Sequence, residues 1–291
     1  MEFPKVYVII VWYNGAKWVQ CNLESLLKSD LPVTIVCIDN SSTDNTVTLL
    51  NNYSDVITLI QAPSNLGFGK ANNLGIDLAI KENADYVFLL NQDTWVYPDT
   101  IDKLVTTASQ YLDYGIISPM HLAPNEKDLD INFKMYFDKS TFKYEGFVKP
   151  VTFVNAAAWL IPMHVLKKVS YFEPLFDHYG EDRNFVDRII FHNYKIGIDT
   201  KAKITHDRVV IRNYNKDLIQ CKYKILATLL NPNLTEKQAK LEALKNVFGL
   251  PKYFLKFYGL IACSKLFIKL SVYYKLQLQS WTLIKQARNS Y

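Results

Sequence analysis

The sequence predicts an α/β fold with a mostly parallel central sheet, followed by a helical C-terminal region. Three observations carry this. Strand and helix signals alternate through residues 5–120; polar clusters stand where the first, second and fourth strand signals stop; and beyond residue 213 the pattern is almost wholly helical.

Val6, Tyr7, Val8, Ile9, Ile10 and Val11 form one uninterrupted apolar run, as a strand covered on both faces requires. Residues 16–27 carry Trp18, Val19, Leu23, Leu26 and Leu27 at helical spacing. Residues 33–38 read as a second buried strand. The turn-and-cap cluster Asp39-Asn40-Ser41-Ser42-Thr43-Asp44 follows it, and then a helix to about Tyr53. A third strand at 56–60, a helix at 69–81, a fourth strand at 86–90 and a helix after Pro98 complete the alternation. From 131 to 206 the signal is mixed. Short strands are expected at 133–137, 151–154 and 159–161, with a helix starting near Gly180. The helical region from Asn213 on is expected to break at Pro232 and at Gly249-Leu250-Pro251.

Composition supports a globular chain. Its 291 residues are 49% hydrophobic and 21% charged, enough to bury a core without disulfides or a structural metal. Cys21, Cys37, Cys221 and Cys263 lie far apart with no C-x-x-C pair, which fits a reducing, cytoplasmic setting. The N-terminus runs directly into the first strand, so no secretory leader is expected. The longest charge-free apolar run, 151–166, contains Asn155, Pro162 and His164 and falls short of the ~20 residues a membrane span needs.

In parallel α/β sheets ligands bind beyond the carboxyl ends of the strands. Tyr13-Asn14, Asp39-Asn40 and Asn91-Gln92-Asp93 occupy those ends, so the topology converges them on one rim. The turn after the first strand has the single glycine Gly15, and Gly67-Phe68-Gly69 lacks a third, which argues against a dinucleotide fingerprint. No P-loop and no G-x-S-x-G elbow occurs. Asp93 at a strand end is placed to hold a hard divalent cation that bridges a diphosphate; the same trio also serves as an ordinary turn.

These segments together resemble family 2 glycosyltransferases of the GT-A fold, a Rossmann-like nucleotide-binding architecture, and within them the rhamnosyltransferase-like members. The matching stretches are Val11-Trp12-Tyr13-Asn14, Ile38 through Asp44, Asn65-Leu66-Gly67-Phe68-Gly69-Lys70-Ala71-Asn72-Asn73, and Leu89-Leu90-Asn91-Gln92-Asp93. Phe172-Glu173-Pro174-Leu175-Phe176, Gly180-Glu181-Asp182 and His206 follow in the same order. The resemblance covers about residues 5–210. It implies a catalytic part over 1–210, with a nucleotide-sugar half to about 120 and an acceptor half beyond, and a separate helical part over 211–291.

The resemblance further implies a nucleotide-sugar donor, dTDP- or UDP-linked, and a saccharide or lipid-linked acceptor. Asp39 matches the carboxylate that reads the base, with Tyr13, Asn14 and Asn40 beside it. Asn65, Gly67, Lys70 and Asn72 match the loop passing the ribose and phosphates, joined by Asn91 and Gln92. Asp93 matches the last residue of a D-x-D metal motif whose first Asp is here Asn91, and His206 matches a further ligand of a magnesium or manganese ion. Asp182 matches the catalytic base and Glu181 its neighbour. A carboxylate there can take the proton of an attacking sugar hydroxyl, inverting the anomeric centre. Acids in a first helical turn also favour the helix dipole without any catalysis. Asn155 and Trp159 match the acceptor-side wall, although Trp159 between Ala158 and Leu160 suits a core equally. His178 is a further rim candidate, or a solvated loop histidine. The other function class compatible with the Asn91 replacement is a GT-A module that binds a nucleotide or sugar without turnover.

The C-terminal 41 residues carry Lys252, Lys256, Lys265, Lys269, Lys275, Lys285 and Arg288, and no acid. Aromatic residues are interleaved with them. Such a segment suits an anionic membrane surface, and peripheral association with the inner face is the expectation; helices packed on the body with solvated lysines are the alternative. The modest charge and the lack of any recognition motif argue against nucleic acid.

Overall fold

A computed structural model describes residues 3–208 and 212–291. The strands are β1 (Val6–Trp12), β2 (Val33–Asp39), β3 (Ile57–Gln61), β4 (Tyr86–Asn91), β5 (Thr94–Val96), β6 (Tyr114–Leu122), β7 (Val148–Val151), β8 (Ala158–Pro162) and β9 (Lys195–His206). The helices of the sheet region are α1 (Val19–Leu27), α2 (Thr46–Asn51), α3 (Phe68–Lys81), α4 (Thr100–Gln110), α5 (Ile131–Lys139), α6 (Met163–Val169) and α7 (Glu181–Phe191). Four more follow: α8 (Tyr214–Leu230), α9 (Glu236–Phe254), α10 (Leu260–Gln279) and α11 (Trp281–Asn289).

The sheet runs β3-β2-β1-β4-β8-β6-β9-β5, with β7 also paired to β9. β1 pairs in parallel with both β2 and β4. Its side chains alternate as a strand demands: Tyr7 and Ile9 enter the core under α3 and α7, while Val6, Val8, Ile10 and Trp12 enter the core under α1 and α4. Past residue 91, β5, β7 and β8 run against the other strands. The sheet is therefore mostly parallel, with its reversed strands all in the second half.

Three expectations are corrected. Residues 133–137 are not a strand but lie in α5. Ile131, Phe133, Met135 and Phe137 mimic a two-residue period, yet only Phe133 is fully buried, stacking with Phe137 one turn on, while Ile131 is 67% exposed. Asp130 decides the local choice, because its carboxylate accepts the N–H of Asn132 at 3.0 Å and of Phe133 at 2.8 Å and so caps the helix. The strand expected at 151–154 lies instead at Val148–Val151, paired with β9. Finally, α9 passes through Gly249-Leu250-Pro251 unbroken. A proline there forfeits its own N–H, but Pro251 is buried and its carbonyl still accepts from Leu255, so packing outweighs the lost bond. The break at Pro232 is present, and a second falls between Phe254 and Leu260 instead.

The C-terminal helices share a third core. Leu218, Ile225 and Leu229 of α8, Ala243 and Val247 of α9, Leu266 and Leu270 of α10 and Ile284 of α11 bury one another around Phe176 of the preceding loop. No helix among the described residues is long and apolar enough to cross a membrane.

Candidate active site

The carboxyl ends of β1, β2 and β4 meet as the topology requires. The Tyr13 N–H donates to Gln92 Oε1 at 2.8 Å, and Gln92 Nε2 returns a bond to the Tyr13 carbonyl at 3.2 Å. A side chain at Gly15 would sit 2.3 Å from that same Gln92 oxygen, so only glycine permits the brace. Asn14, at φ 48°, accepts the Thr43 N–H at 2.8 Å and ties the first rim turn to the second. Asp39 is 3% exposed, and its carboxylate accepts the Ser42 N–H. Asn40 donates to Asn65 Oδ1 at 3.0 Å and accepts the Leu66 N–H at 2.8 Å, while the Gly67 N–H reaches the same Asn65 oxygen at 2.9 Å. Tyr13, Asn14 and Asn65 are thus exposed on the rim, whereas Asn40 lies buried behind it and spends its amide on bracing.

The loop after β3 is itself crossed by a second one. Gly67 has φ +80°, and a Cβ there would lie 1.6 Å from the Asp177 carbonyl oxygen. Lys70 pairs with Asp177 at 2.9 Å, and Asn73 exchanges two 2.9 Å bonds with the Phe172 backbone. Two sequence-derived assignments fail on burial. Asn72 is 1% exposed and donates back to the Phe68 carbonyl within α3, so it faces no ligand. Trp159 is 0% exposed and packs in the core against Phe185, so it forms no wall.

Asp93 occupies the tight turn between β4 and β5. Because β5 pairs with the end of β9, Thr94 stands opposite His206, and His206 Nε2 comes 3.4 Å from Asp93 Oδ1. His206 Nδ1 lies 3.9 Å from Asp130 Oδ2. The imidazole is 1% exposed and neither of its nitrogens has a hydrogen-bond partner among the described residues. Burial holds the adjacent His121 well below its usual pKa, so that ring is neutral. A carboxylate facing an open imidazole nitrogen suits a divalent cation. No group of three or more His, Cys, Asp or Glu among the described residues could hold one unaided. The pair therefore fits a cation whose remaining ligands are diphosphate oxygens and water, as magnesium sites commonly are.

Asp182 sits in the first turn of α7, reached through Tyr179 at φ 70° and Gly180 at φ 91°. It is half-buried on the wall of a cavity of about 1110 Å³, with Asn132, Tyr136, Phe153, Asn155 and Arg208 among the lining. Burial raises its pKa, opposed by the Arg183 N–H at 2.7 Å and by the charges of Arg183 and Arg208. Glu181 is 5% exposed, packed beside Gly69 and Phe172. Its Oε2 has no partner, and burial with the neighbouring Asp182 charge pushes its pKa up to about 8. Further along α7, burial pushes Asp187 to about 6 despite its 3.2 Å pair with Arg183.

Two elements link the Asp93 side to the Asp182 side. Helix α5 puts its cap Asp130 beside His206 and its next residues, Asn132 and Tyr136, on the Asp182 cavity. Arg208, two residues past His206, lines that cavity as well, with its Nη1 buried and without a hydrogen-bond partner among the described residues. The sequence pass missed Tyr136, Phe153, Tyr179 and Arg208. It also missed the polar stripe of α8, whose four-residue period (Lys216, Gln220, Lys224, Thr228) is legible once the helix is granted.

Residues 7–161 match glycosyl transferase family 2, and the chain belongs to that family. Among characterised relatives, an N-acetylglucosaminyl-diphospho-decaprenol L-rhamnosyltransferase of Mycobacterium tuberculosis is 29% identical over 127 residues, 40% of this chain and 41% of that protein. An uncharacterized glycosyltransferase of Haemophilus influenzae is 27% identical over 107 residues, covering 35% of this chain and 42% of that one. The chain thus spans less than half the length of these relatives. Among solved structures, Staphylococcus aureus TarS in complex with UDP-GlcNAc aligns at TM-score 0.64 and 18% identity, over 91% of this chain and 79% of that one. The mannosyltransferase PcManGT of Pyrobaculum calidifontis, in complex with GDP-Man and Mn2+, aligns at TM-score 0.62 and 16% identity over 99% of this chain and 86% of that one. The fold is GT-A.

Proposed function

We propose that this chain is an inverting glycosyltransferase, assisted by a divalent cation. On this reading it moves one sugar from a dTDP- or UDP-linked donor to a saccharide or lipid-linked acceptor in surface polysaccharide assembly. The observation that carries this is the carboxylate of Asp182 on the wall of a roomy cavity that α5 and Arg208 connect to the Asp93–His206 pair.

The residues divide the work. The rim formed by Tyr13, Asn14, Asp39 and Asn65 receives the nucleotide, and its braces keep the loops from shifting when the ligand is absent. Asp93 and His206 would hold the cation, which would supply positive charge for the departing diphosphate. Asp182 accepts the proton of the acceptor hydroxyl while that oxygen bonds the anomeric carbon. The bond from this carbon to the diphosphate oxygen breaks on the opposite face, releasing the nucleoside diphosphate. Tyr136, Phe153 and Tyr179 offer rings against which a sugar face can stack. The basic, acid-free helices from residue 251 on suit docking at the anionic inner face of a membrane.

The test is a panel of nucleotide sugars scored for thermal stabilisation, followed by release of nucleoside diphosphate with and without candidate acceptors. A bound donor raises the melting temperature by mass action. Stabilisation by a donor with no diphosphate released under any acceptor would leave only a binding module.

A further inference from the structure

His206 is tightly packed, yet no hydrogen bond to a described residue fixes its ring. The His121 ring meets it edge-on with centroids 6.1 Å apart, and His121 in turn stacks on Phe133 of α5 at 4.5 Å. Its backbone is set by pairing with Thr94 of β5. Each ring nitrogen faces a different carboxylate: Asp93 Oδ1 lies 3.4 Å from Nε2, and Asp130 Oδ2 lies 3.9 Å from Nδ1. Asp130 is itself buried, 3% exposed. Its Oδ1 alone caps α5, accepting the N–H of Asn132 at 3.0 Å and of Phe133 at 2.8 Å. Its own N–H donates to the His121 carbonyl at 2.9 Å, which anchors the start of α5 beside the histidine pair. The second oxygen, Oδ2, takes no part in the cap and is turned to His206.

We infer that Asp130 is a positioning residue for His206: its Oδ2 accepts the Nδ1–H of the imidazole and so leaves Nε2 bare on the Asp93 side, where a divalent cation would bind. This rests on the cation reading above and adds to it a residue that would not touch the cation. A ring that gives Nε2 to a cation retains one proton, and that proton sits on Nδ1, opposite Asp130. A carboxylate at that place fixes the ring's orientation and makes the other nitrogen a better ligand. The gap of 3.9 Å exceeds a hydrogen bond by about 1 Å, and contacts at functional sites tighten in this way when the ligand arrives. Asp130 is not a third ligand, because it faces the nitrogen turned away from Asp93, and no group of three or more His, Cys, Asp or Glu among the described residues could hold an ion. Capping alone does not account for it either. Asparagine and serine cap a helix as well as aspartate does. The cap here uses one oxygen, and a charged second oxygen buried beside a histidine costs free energy that the cap does not offset. The same carboxylate thus serves two neighbours: the histidine of the cation pair, and the helix that carries Asn132 and Tyr136 into the Asp182 cavity.

The experiment is calorimetric titration of the full chain, unaltered and as Asp130→Asn and Asp130→Ser. Manganese chloride is titrated into protein saturated with UDP or dTDP, whichever binds tighter, and the same nucleotide is titrated separately in EDTA. Both substitutes keep an oxygen for the α5 cap, so thermal unfolding and metal-free nucleotide binding are expected to change little. Asparagine would turn its amide N–H groups to Nδ1 and draw the ring proton to Nε2, while serine would leave Nδ1 without an acceptor. Manganese binding is expected to weaken about 10- to 100-fold in both, as loss of the outer partner of a ligating histidine implies. Unchanged manganese affinity in either variant overturns the inference and leaves the cation reading standing. Loss of the thermal transition or of metal-free nucleotide binding in both variants also overturns it, since Asp130 would then serve folding alone. If the unaltered protein binds the nucleotide but takes up no manganese, the cation reading falls and this inference falls with it.

Discussion

His206 Nε2 lies 3.4 Å from Asp93 Oδ1 across the pairing of β5 with the end of β9, and the imidazole is buried with neither nitrogen hydrogen-bonded among the described residues. A buried histidine without partners costs free energy unless something else engages it. With only one carboxylate and one imidazole offered, a cation here would need further oxygen ligands such as those of a diphosphate, so on the proposed function cation and nucleotide should bind together. Asp93→Ala is expected to weaken nucleoside diphosphate binding by at least about tenfold in magnesium or manganese and to change it little without metal. Calorimetric titration in both conditions checks this; equal affinity of the unaltered protein with and without metal contradicts the metal role.

Asp182 predicts both a substitution and a pH effect. Asp182→Asn keeps shape and removes the proton acceptor, so transfer should fall at least about a hundredfold while donor binding persists. The base works only when ionised, and burial raises its pKa. Transfer should therefore fall away on acidification at a higher pH than an ordinary carboxylate would give, with Arg183 and Arg208 limiting the shift. Steady-state rates across pH read it, and a profile flat down to pH about 4 would remove Asp182 from the role.

Glu181 makes the complementary prediction on stability. Its carboxyl is pushed up to about 8 in the folded chain, far above the value of an unfolded glutamate. Between those two values the unfolded state has released a proton that the native state keeps, so stability falls as pH rises from about 5 to 8. Glu181→Gln removes that titration. It should flatten the decline and leave the variant more stable at pH 8, on the order of 1–3 kcal/mol. Thermal unfolding of both proteins at a series of pH values decides it.

Much of the rim was legible because strand ends in a parallel sheet are fixed by topology, so Tyr13, Asp39 and Asp93 could be placed from the apolar runs alone. What escaped depended on antiparallel pairing and on caps. The juxtaposition of His206 with Asp93 follows from the pairing of the three-residue β5 with β9, which no local periodicity announces. The α5 segment alternates in apolarity like a strand, and one carboxylate, Asp130, tips it to helix; with it went Asn132 and Tyr136 of the cavity wall. Trp159 and Asn72 were misplaced for the converse reason: both sit on elements that reach the site, but their side chains point to the far side of them.

Gly67 tests how far the loop crossing fixes the donor side. A methyl group there meets both a φ of +80° and the Asp177 carbonyl 1.6 Å away. Gly67→Ala should destabilise the fold by about 2–4 kcal/mol. It should also weaken donor binding, because the loop cannot yield without releasing the bonds from Asn40 and Asn65. Chemical unfolding and a donor titration at low temperature separate the two effects. An alanine variant of unaltered stability would mean that the two loops part easily.

The tail prediction concerns α10. Leu260 and Ile261 are 75% and 77% exposed, and Ile268, Val272 and Leu276 continue the uncovered apolar side of the helix. Lys265, Lys269 and Lys275 lie between them, with no acid in the region. Apolar side chains flanked by lysines gain both from immersion at the headgroup boundary and from attraction to anionic lipid, about 1 kcal/mol for each lysine near the surface. The intact chain should therefore float with vesicles containing phosphatidylglycerol and much less with phosphatidylcholine alone. Ile261→Ser with Ile268→Ser, which leaves the shared core of Leu266 and Leu270 untouched, should release it. Truncating the tail is the poorer experiment, because α9 runs through Pro251 and cutting there would open the third core. Flotation that is equal on both vesicle types, or unchanged in the double serine variant, would assign these lysines to solvent.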